Sequence, residues 1–285
     1  MDFAFIVDQG LGILATASVS ALVAMGLALS FRLMGIINLA SGDFMMIGAY
    51  TVLAFVAIGL PYLVGVLAAI VIGFLLGALT EVSLLRRFAR APELAILGTF
   101  GLGIVIRQVV ELIFGKNFQF IENPLAGSVS VWGAEFPLYR LVLIGVSVAV
   151  IGAVLLVLTL TPLGVKVRAV SADSDLAETL GIRSGRLKLL VFAVSTAMAS
   201  LAGSLIAPLT NVGPQMGNAY LFVMFVVVIV GGARVSMVLV AALAIAIVQN
   251  VTTLVVDSLV AKLAILGMAF LVLAATRPAT KGTIV

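Results

Sequence analysis

The chain has 285 residues, of which 63% are apolar and 10% charged, with 16 Lys and Arg against 12 Asp and Glu, no Cys and no His. A soluble domain carries about 25% charged residues, so this composition, with a mean hydropathy of +1.33, excludes an ordinary soluble enzyme. The missing Cys and His exclude a disulfide framework and leave no basis for a zinc site. The net charge of +4 does not call for nucleic acid, because membrane proteins concentrate Lys and Arg in cytoplasmic loops.

The first ten residues, MDFAFIVDQG, are acidic where a secretory signal peptide would be basic. Nine hydrophobic segments follow, at about 10–31, 42–59, 61–85, 93–115, 138–160, 187–209, 218–231, 236–256 and 259–275. Most are long enough to cross the hydrocarbon core as helices, and the seventh is short for that. The ten-residue alternation of a membrane β-barrel is absent. The expectation is an all-α, polytopic transmembrane bundle of about 8–9 membrane segments forming one domain over 1–285.

Charge placement sets the expected orientation. With the N-terminus outside, the inner loops and helix ends receive Arg32, Arg86, Arg87, Arg90, Lys166, Arg168, Arg183, Arg186, Lys188, Arg234, Arg277 and Lys281. The outer side receives Lys116, Arg140 and Lys262. This positive-inside bias places the 162–188 loop and the C-terminal tail in the cytoplasm.

The first break in the apolar pattern is GIINLASGDFMMIGAY, residues 35–50. Ser41 reads as an N-cap for a helix starting at Gly42, and Asp43 then falls in the first turn, where the helix dipole favours a negative charge. An ionised Asp at the bilayer centre costs about 2.5–3.5 kcal/mol on insertion scales. It is therefore expected to face protein or a water-filled path, and broken helices at that depth commonly build transporter sites. A plain inner loop, with Ser41 and Asp43 only capping the helix, is the simpler alternative. Further along, the small-residue pairs Gly73/Gly77, Gly98/Gly101 and Ala199/Gly203 suit close helix packing. Arg107 and Glu111 are spaced to pair along one helix. The outer loop at 116–137 carries Trp132, which reads as an interfacial anchor, and an Asn123-Pro124 turn signal.

Residues 162–188, PLGVKVRAVSADSDLAETLGIRSGRLK, are the one long polar stretch. Thr161-Pro162-Leu163-Gly164 reads as the stop of the fifth helix. The SADSD run offers N-caps for a two-turn helix with Leu176, Ala177, Leu180 and Ile182 as apolar contacts and Gly181 as its breaker. Asp173, Asp175 and Glu178 make its polar face too acidic for anionic lipid and favour a groove on a protein partner. A second break follows at 208–220, PLTNVGPQMGNAY. The tails Met46-Ile47-Gly48-Ala49-Tyr50 and Met216-Gly217-Asn218-Ala219-Tyr220 look alike, which suggests an inverted repeat with a pathway between its halves. The chain has no GxxxxGK[ST] phosphate loop, so it has no means of its own to use ATP.

GLALSFRLMGIINLASGDFMMIGAY resembles the N-terminal signature of permease subunits of bacterial branched-chain amino acid ABC transporters. TPLGVKVRAVSADSDLAETLGI resembles the same family's cytosolic coupling segment, and FAVSTAMASLAGSLIAPLTNVGPQMG the helix and loop after it. The resemblance implies a non-enzymatic permease subunit in the bacterial inner membrane, paired with a related permease or with itself. It also implies two cytoplasmic ATPases, which use ATP and Mg, an external solute-binding protein, and no cofactor, metal or nucleic acid on this chain. Gly35, Asn38, Gly42, Asp43, Gly48 and Tyr50 match the first signature, and the candidate translocation-pathway residues are Gly35, Asn38, Gly42, Asp43 and Tyr50 with Ser41 and Met46 of the same break. Gly164, Arg168, Ala169, Ala177, Leu180 and Gly181 match the coupling segment and, with Asp175 and Glu178 of the same loop, are the candidate ATPase-coupling residues. Arg32 stands where the family has Gly, Ser41 where it has His, and Gly231-Gly232-Ala233-Arg234 departs from its glycine-rich loop. The solute is thus open among branched-chain or related amino acids, urea, short amides and small carboxylates. A stand-alone channel or ion-coupled carrier would have no use for the docking helix.

Overall fold

The apolar runs fold as nine long helices in a computed structural model that describes residues 3–89, 91–125, 127–131, 134–232, 235–255 and 258–275. In chain order these are α1 (Phe3–Met34), α2 (Ser41–Ala57), α3 (Tyr62–Thr80), α4 (Pro92–Phe114), α5 (Leu138–Leu160), α8 (Ser184–Ile206), α9 (Met216–Gly231), α10 (Val235–Val255) and α11 (Ser258–Ala275). A π-helical turn, Glu81–Leu85, prolongs α3. Between α4 and α5 lie strands β1 (Ser128–Val131) and β2 (Ala134–Pro137), and between α5 and α8 the short helices α6 (Pro162–Ala172) and α7 (Ser174–Thr179). The expectations resting on Trp132, Arg90, Arg234, Arg277 and Lys281 fall outside the described residues.

Among the described residues, six helices are long and apolar enough to cross a membrane by length and composition. Helices α2 and α9 are not. With 17 and 16 residues they reach about 25 Å, short of the roughly 30 Å hydrocarbon core.

Helix α8 is the centre of the packing. Its buried Ser195, Thr196, Ser200 and Ser204 let neighbouring backbones approach closely, and the first three give hydrogen bonds across helices. Ser195 Oγ donates to the Gly26 carbonyl on α1 (2.5 Å), Thr196 Oγ1 to that of Gly73 on α3 (2.9 Å) and Ser200 Oγ to that of Phe44 on α2 (2.9 Å). The small-residue pairs sort accordingly. Gly73 and Gly77 lie against Ser200 and Thr196, and Gly203 against the Met45 backbone, whereas Gly101 has open space around it.

Helix ends gather at two poles. Met34, Glu81, Leu85, Arg86, Ser184 and Lys188 meet around one cavity, so the ends of α1 and α3 and the start of α8 share a pole. Arg87 and Arg183 are the chain neighbours of Arg86 and Ser184, and this is the basic end. The starts of α1, α5 and α9 and the ends of α8 and α10 surround a second cavity at the opposite end.

Four local expectations change. Pro162 stops α5 but also starts α6, at the helix position where a missing N–H costs nothing. The outer loop folds as a two-stranded antiparallel hairpin, Val129 opposite Phe136. Upstream of it, Gln119 bridges to Val212 in the second break by two backbone hydrogen bonds, 2.8 and 3.0 Å. Arg107 does not pair with Glu111, which instead meets Lys116 at 3.1 Å. Ser41 is not an N-cap: α2 begins at Ser41, and its capping position, Ala40, makes no side-chain cap.

Candidate functional site where two short helices meet

The chain leaves α1 at Gly35, which takes a left-handed φ of +66°, and runs alongside α4. Asn38 shapes this strap. Its Oδ1 accepts the Ala40 N–H (3.1 Å), and its carbonyl accepts the Ser41 hydroxyl (2.8 Å). That side-chain turn mimics a backbone turn and replaces the cap expected of Ser41. The Leu39 N–H donates to Thr99 Oγ1 on α4 (3.2 Å), so the strap climbs the first turns of α4 before α2 starts.

Gly103, near the midpoint of α4, faces the Asp43 carboxylate, and any Cβ there would collide with it. Helix α4 is about 35 Å long, so Asp43 lies near the middle of the bundle. The first turn of α9 arrives at the same level from the opposite end. Gly42 and Gly217 are in backbone contact, and a side chain on either would strike the carbonyl of the other. Two short helices therefore begin at one point inside the bundle, one reached from each pole.

Arg107 joins them. Its Nε is 3.0 Å from Asp43 Oδ1, and its Nη1 donates to Asn218 Oδ1 on α9 (3.1 Å). The Nε–H itself points to the Gly103 carbonyl (3.2 Å). Asp43 Oδ1 thus receives the charge of Arg107 without a hydrogen bond among the described residues. Asn38 Nδ2 and the Tyr50 hydroxyl are likewise buried without a partner there. Buried polar groups left unpaired cost about 1–3 kcal/mol each, and such groups collect at functional sites.

Of the residues assigned to a pathway, Asn38, Ser41, Gly42, Asp43, Met46 and Tyr50 are buried within the subunit, and Gly35 is exposed. Tyr50 stacks at a tilt on Phe114, ring centroids 4.8 Å apart. The group that meets open space is Asn218, which lines cavities on two sides of α9. The sequence does not mark Thr99 or Gly103, and it suggests other places for Arg107, beside Glu111, and for Asn218, in the tail that ends at Tyr220. The available signal was Gly217-Asn218, which matches Gly42-Asp43 in both type and position at the helix start.

At the basic end, α7 is built as the sequence suggests. Asp173 caps it, its Oδ1 accepting the N–H groups of Asp175 (3.0 Å) and Leu176 (2.9 Å). Gly181, at φ +81°, ends it with the paired bonds Ile182 N–H to Ala177 O (3.1 Å) and Gly181 N–H to Glu178 O (2.9 Å), a Schellman termination. Ala177 is buried, while Leu176 is 59% and Leu180 73% exposed, so the helix holds two large apolar side chains outward. Glu178 accepts a hydrogen bond from Ser184, and Lys188 donates to Ser174 (3.0 Å), fixing α7 to the start of α8. Asp175 is exposed and Ala169 half-buried. Gly164 packs on the Leu158 backbone, and Arg168 Nη1 donates to the Leu158 carbonyl (3.0 Å). These two residues seat α6 on the end of α5. A cavity of 630 Å³ next to α7 is walled by the buried Glu81 of the π-helical turn, by Arg86 and by Ile36 of the strap. Helix α7 and the strap leading to Asp43 thus share one pocket.

The chain is similar to several known proteins. The chain is 27% identical over 75% of its length to a probable branched-chain amino acid transport permease protein, LivH, of Methanocaldococcus jannaschii, covering 70% of that protein. The high-affinity branched-chain amino acid permease LivH of Salmonella typhimurium is 25% identical over 81% of this chain and 80% of its own length. The ribose import permease RbsC of Haemophilus influenzae is 26% identical over 81% of this chain and 70% of its own. Among solved structures, PsaBC from Streptococcus pneumoniae in complex with Fab overlaps 92% of this chain and 89% of that chain at 15% identity and a TM-score of 0.49, a likeness too distant to carry argument. Residues 10–274 match the family described as the branched-chain amino acid transport system permease component, and the chain belongs to that family of ABC-importer permeases.

Proposed function

We propose that this chain forms the translocation path of an ATP-driven importer for branched-chain or related amino acids in the bacterial inner membrane. It does so beside a second permease subunit, a related one or its own copy. Two cytoplasmic ATPases dock on α6–α7, and an external binding protein delivers solute at the opposite end. The N-terminus lies outside and the C-terminus inside, so that the basic end faces the cytoplasm. The observation that carries this reading is α7. It is capped at both ends and bonded to α8, and it presents Leu176 and Leu180 outward. Apolar side chains held out on an anchored helix suit a groove on a soluble protein. Motion imposed there passes through Lys188 and the Glu81 pocket to the strap, and along it to Asp43 and the α2–α9 contact.

Import of a sugar is the second reading, favoured by the likeness to a ribose permease. The deciding experiment reconstitutes the chain with its ATPases and binding protein in liposomes and follows labelled leucine and ribose. ATP-dependent leucine uptake is the expected result. Ribose uptake in place of leucine selects the second reading, and flux through this chain alone, driven by an ion gradient, overturns both.

A further inference from the structure

The cavity at the end opposite α7 has a volume of 770 Å³, within the roughly 300–1,000 Å³ of small-molecule sites. It lies inside one subunit, and its lining is unusual for this chain. Gln9, Gln249, Asn250 and Asn218, four of the few amide side chains in the sequence, converge on it from α1, α10 and α9. Helix α1 contributes Gln9, Gly12, Thr16 and Ser20 with Ala15 and Val19 beside them, at spacings that keep these residues on one helix face.

Polar side chains inside a membrane bundle are often interhelical glue, and glue is recognised by bonds between helices. Here most of the bonds stay local, and the exception is Asn218 Oδ1, which accepts from Arg107 on α4. Asn250 Nδ2 donates to Ala246 O on its own helix (2.8 Å), and Asn218 Nδ2 to the neighbouring Gln215 (2.7 Å). Arg140 also lines the cavity. It rests over the Phe136 ring at 5.8 Å, and no carboxylate pairs with it or lines the cavity among the described residues. Leu143, Ile206, Leu209 and Val223 complete the walls. Among the described residues the cavity thus offers one cation with no counter-charge beside it, several amides, and compact apolar surface.

We propose that this cavity binds a small solute carrying a carboxylate and a compact apolar part, with Arg140 holding the carboxylate. The proposal rests on the import reading and adds the place where solute is held inside the subunit. It also links occupancy to the central site, because Asn218 faces the cavity and accepts the Arg107 hydrogen bond. A guanidinium matches a carboxylate with two parallel hydrogen bonds, which selects anionic or zwitterionic solutes over sugars.

The chain has no cysteine, so single substitutions give clean probes. Thr16→Cys and Gln249→Cys, both in the cavity, are compared with Val148→Cys on the exposed face of α5. The full chain is placed in lipid nanodiscs and treated with sulfonatoethyl methanethiosulfonate. Thiolates form in water and not in hydrocarbon, so the cavity positions are expected to react about tenfold faster or more than Val148→Cys. Leucine slows them, leucinamide and ribose do not, and adding Arg140→Gln abolishes the protection by leucine while the fast reaction remains. Reaction as slow as at Val148→Cys means that lipid fills the cavity and overturns the proposal. Fast reaction that leucine leaves unchanged, or that ribose or leucinamide slows as well as leucine does, overturns it too. These readouts need no ATPase or binding protein, so a failure of the importer reading shows separately, in the liposome uptake.

Discussion

Gly42 and Gly217 touch through their backbones, each occupying the space where the other's side chain would be. They are 175 positions apart and start two helices that are each too short to cross alone. Gly42→Ala and Gly217→Ala are therefore expected to force the two helix starts apart, at about 1–3 kcal/mol, as overpacking does. Gly101→Ala, with no atom within 4 Å of the new methyl, is expected to be neutral or to stabilise by up to about 1 kcal/mol through helix propensity. Thermal unfolding midpoints of the three variants in nanodiscs check this contrast.

Arg107 and Asp43 are expected to depend on each other. Removing Arg107 leaves a buried carboxylate with no counter-charge, which costs about 3–5 kcal/mol when a buried pair is broken. Arg107→Gln should therefore lower stability sharply. Asp43→Asn combined with Arg107→Gln should recover most of the loss, since two neutral amides can bond where the ions stood. A double-mutant cycle measures the coupling, and additive losses would show that the pair contributes nothing beyond its separate members.

Substitutions on α7 are expected to separate transport from folding. Glu178→Lys puts a cation where Ser184 donates, and Gly181→Val forces a side chain into a left-handed φ of +81°. Leu180→Asp alters a side chain that is mostly exposed. All three should cut ATP-dependent uptake several-fold while the amount of protein in the membrane stays normal. Asp173→Ala, which removes the cap, should weaken α7 by about 1 kcal/mol and reduce uptake less than Leu180→Asp.

Orientation is directly measurable in the cysteine-free chain. Leu176→Cys is expected to be shielded from a membrane-impermeant maleimide in intact cells and to react after permeabilisation. Asn117→Cys, in the loop after α4, should react in both. The reverse pattern would invert the topology proposed from the charges.

The helices were legible in the sequence because hydrophobic length is a local property, and each of the nine segments is ended by its own Gly, Pro or charges. The α7 caps were legible for the same reason: Asp173 and Gly181 act within four residues of themselves. What sequence left open is relational. Arg107 had Glu111 four residues away as an obvious partner, yet the charge it meets is Asp43, brought next to it by the strap and the space at Gly103. The tails ending in Tyr50 and Tyr220 look alike, but the residues that come together are Gly42-Asp43 and Gly217-Asn218, a register five residues earlier in the first break. The β-hairpin was hidden because four-residue strands carry too little alternation to stand out between long apolar runs.

The meeting of α2 and α9 also has an electrical meaning. Helix starts carry about half a positive charge each, and here two of them converge with a guanidinium against a single carboxylate. A sodium ion or proton moving through the middle of the subunit would be repelled from three directions, much as half-helix ends and an arginine keep cations out of water pores. The contact that fastens the two short helices together therefore also raises an electrostatic barrier to small cations at that depth.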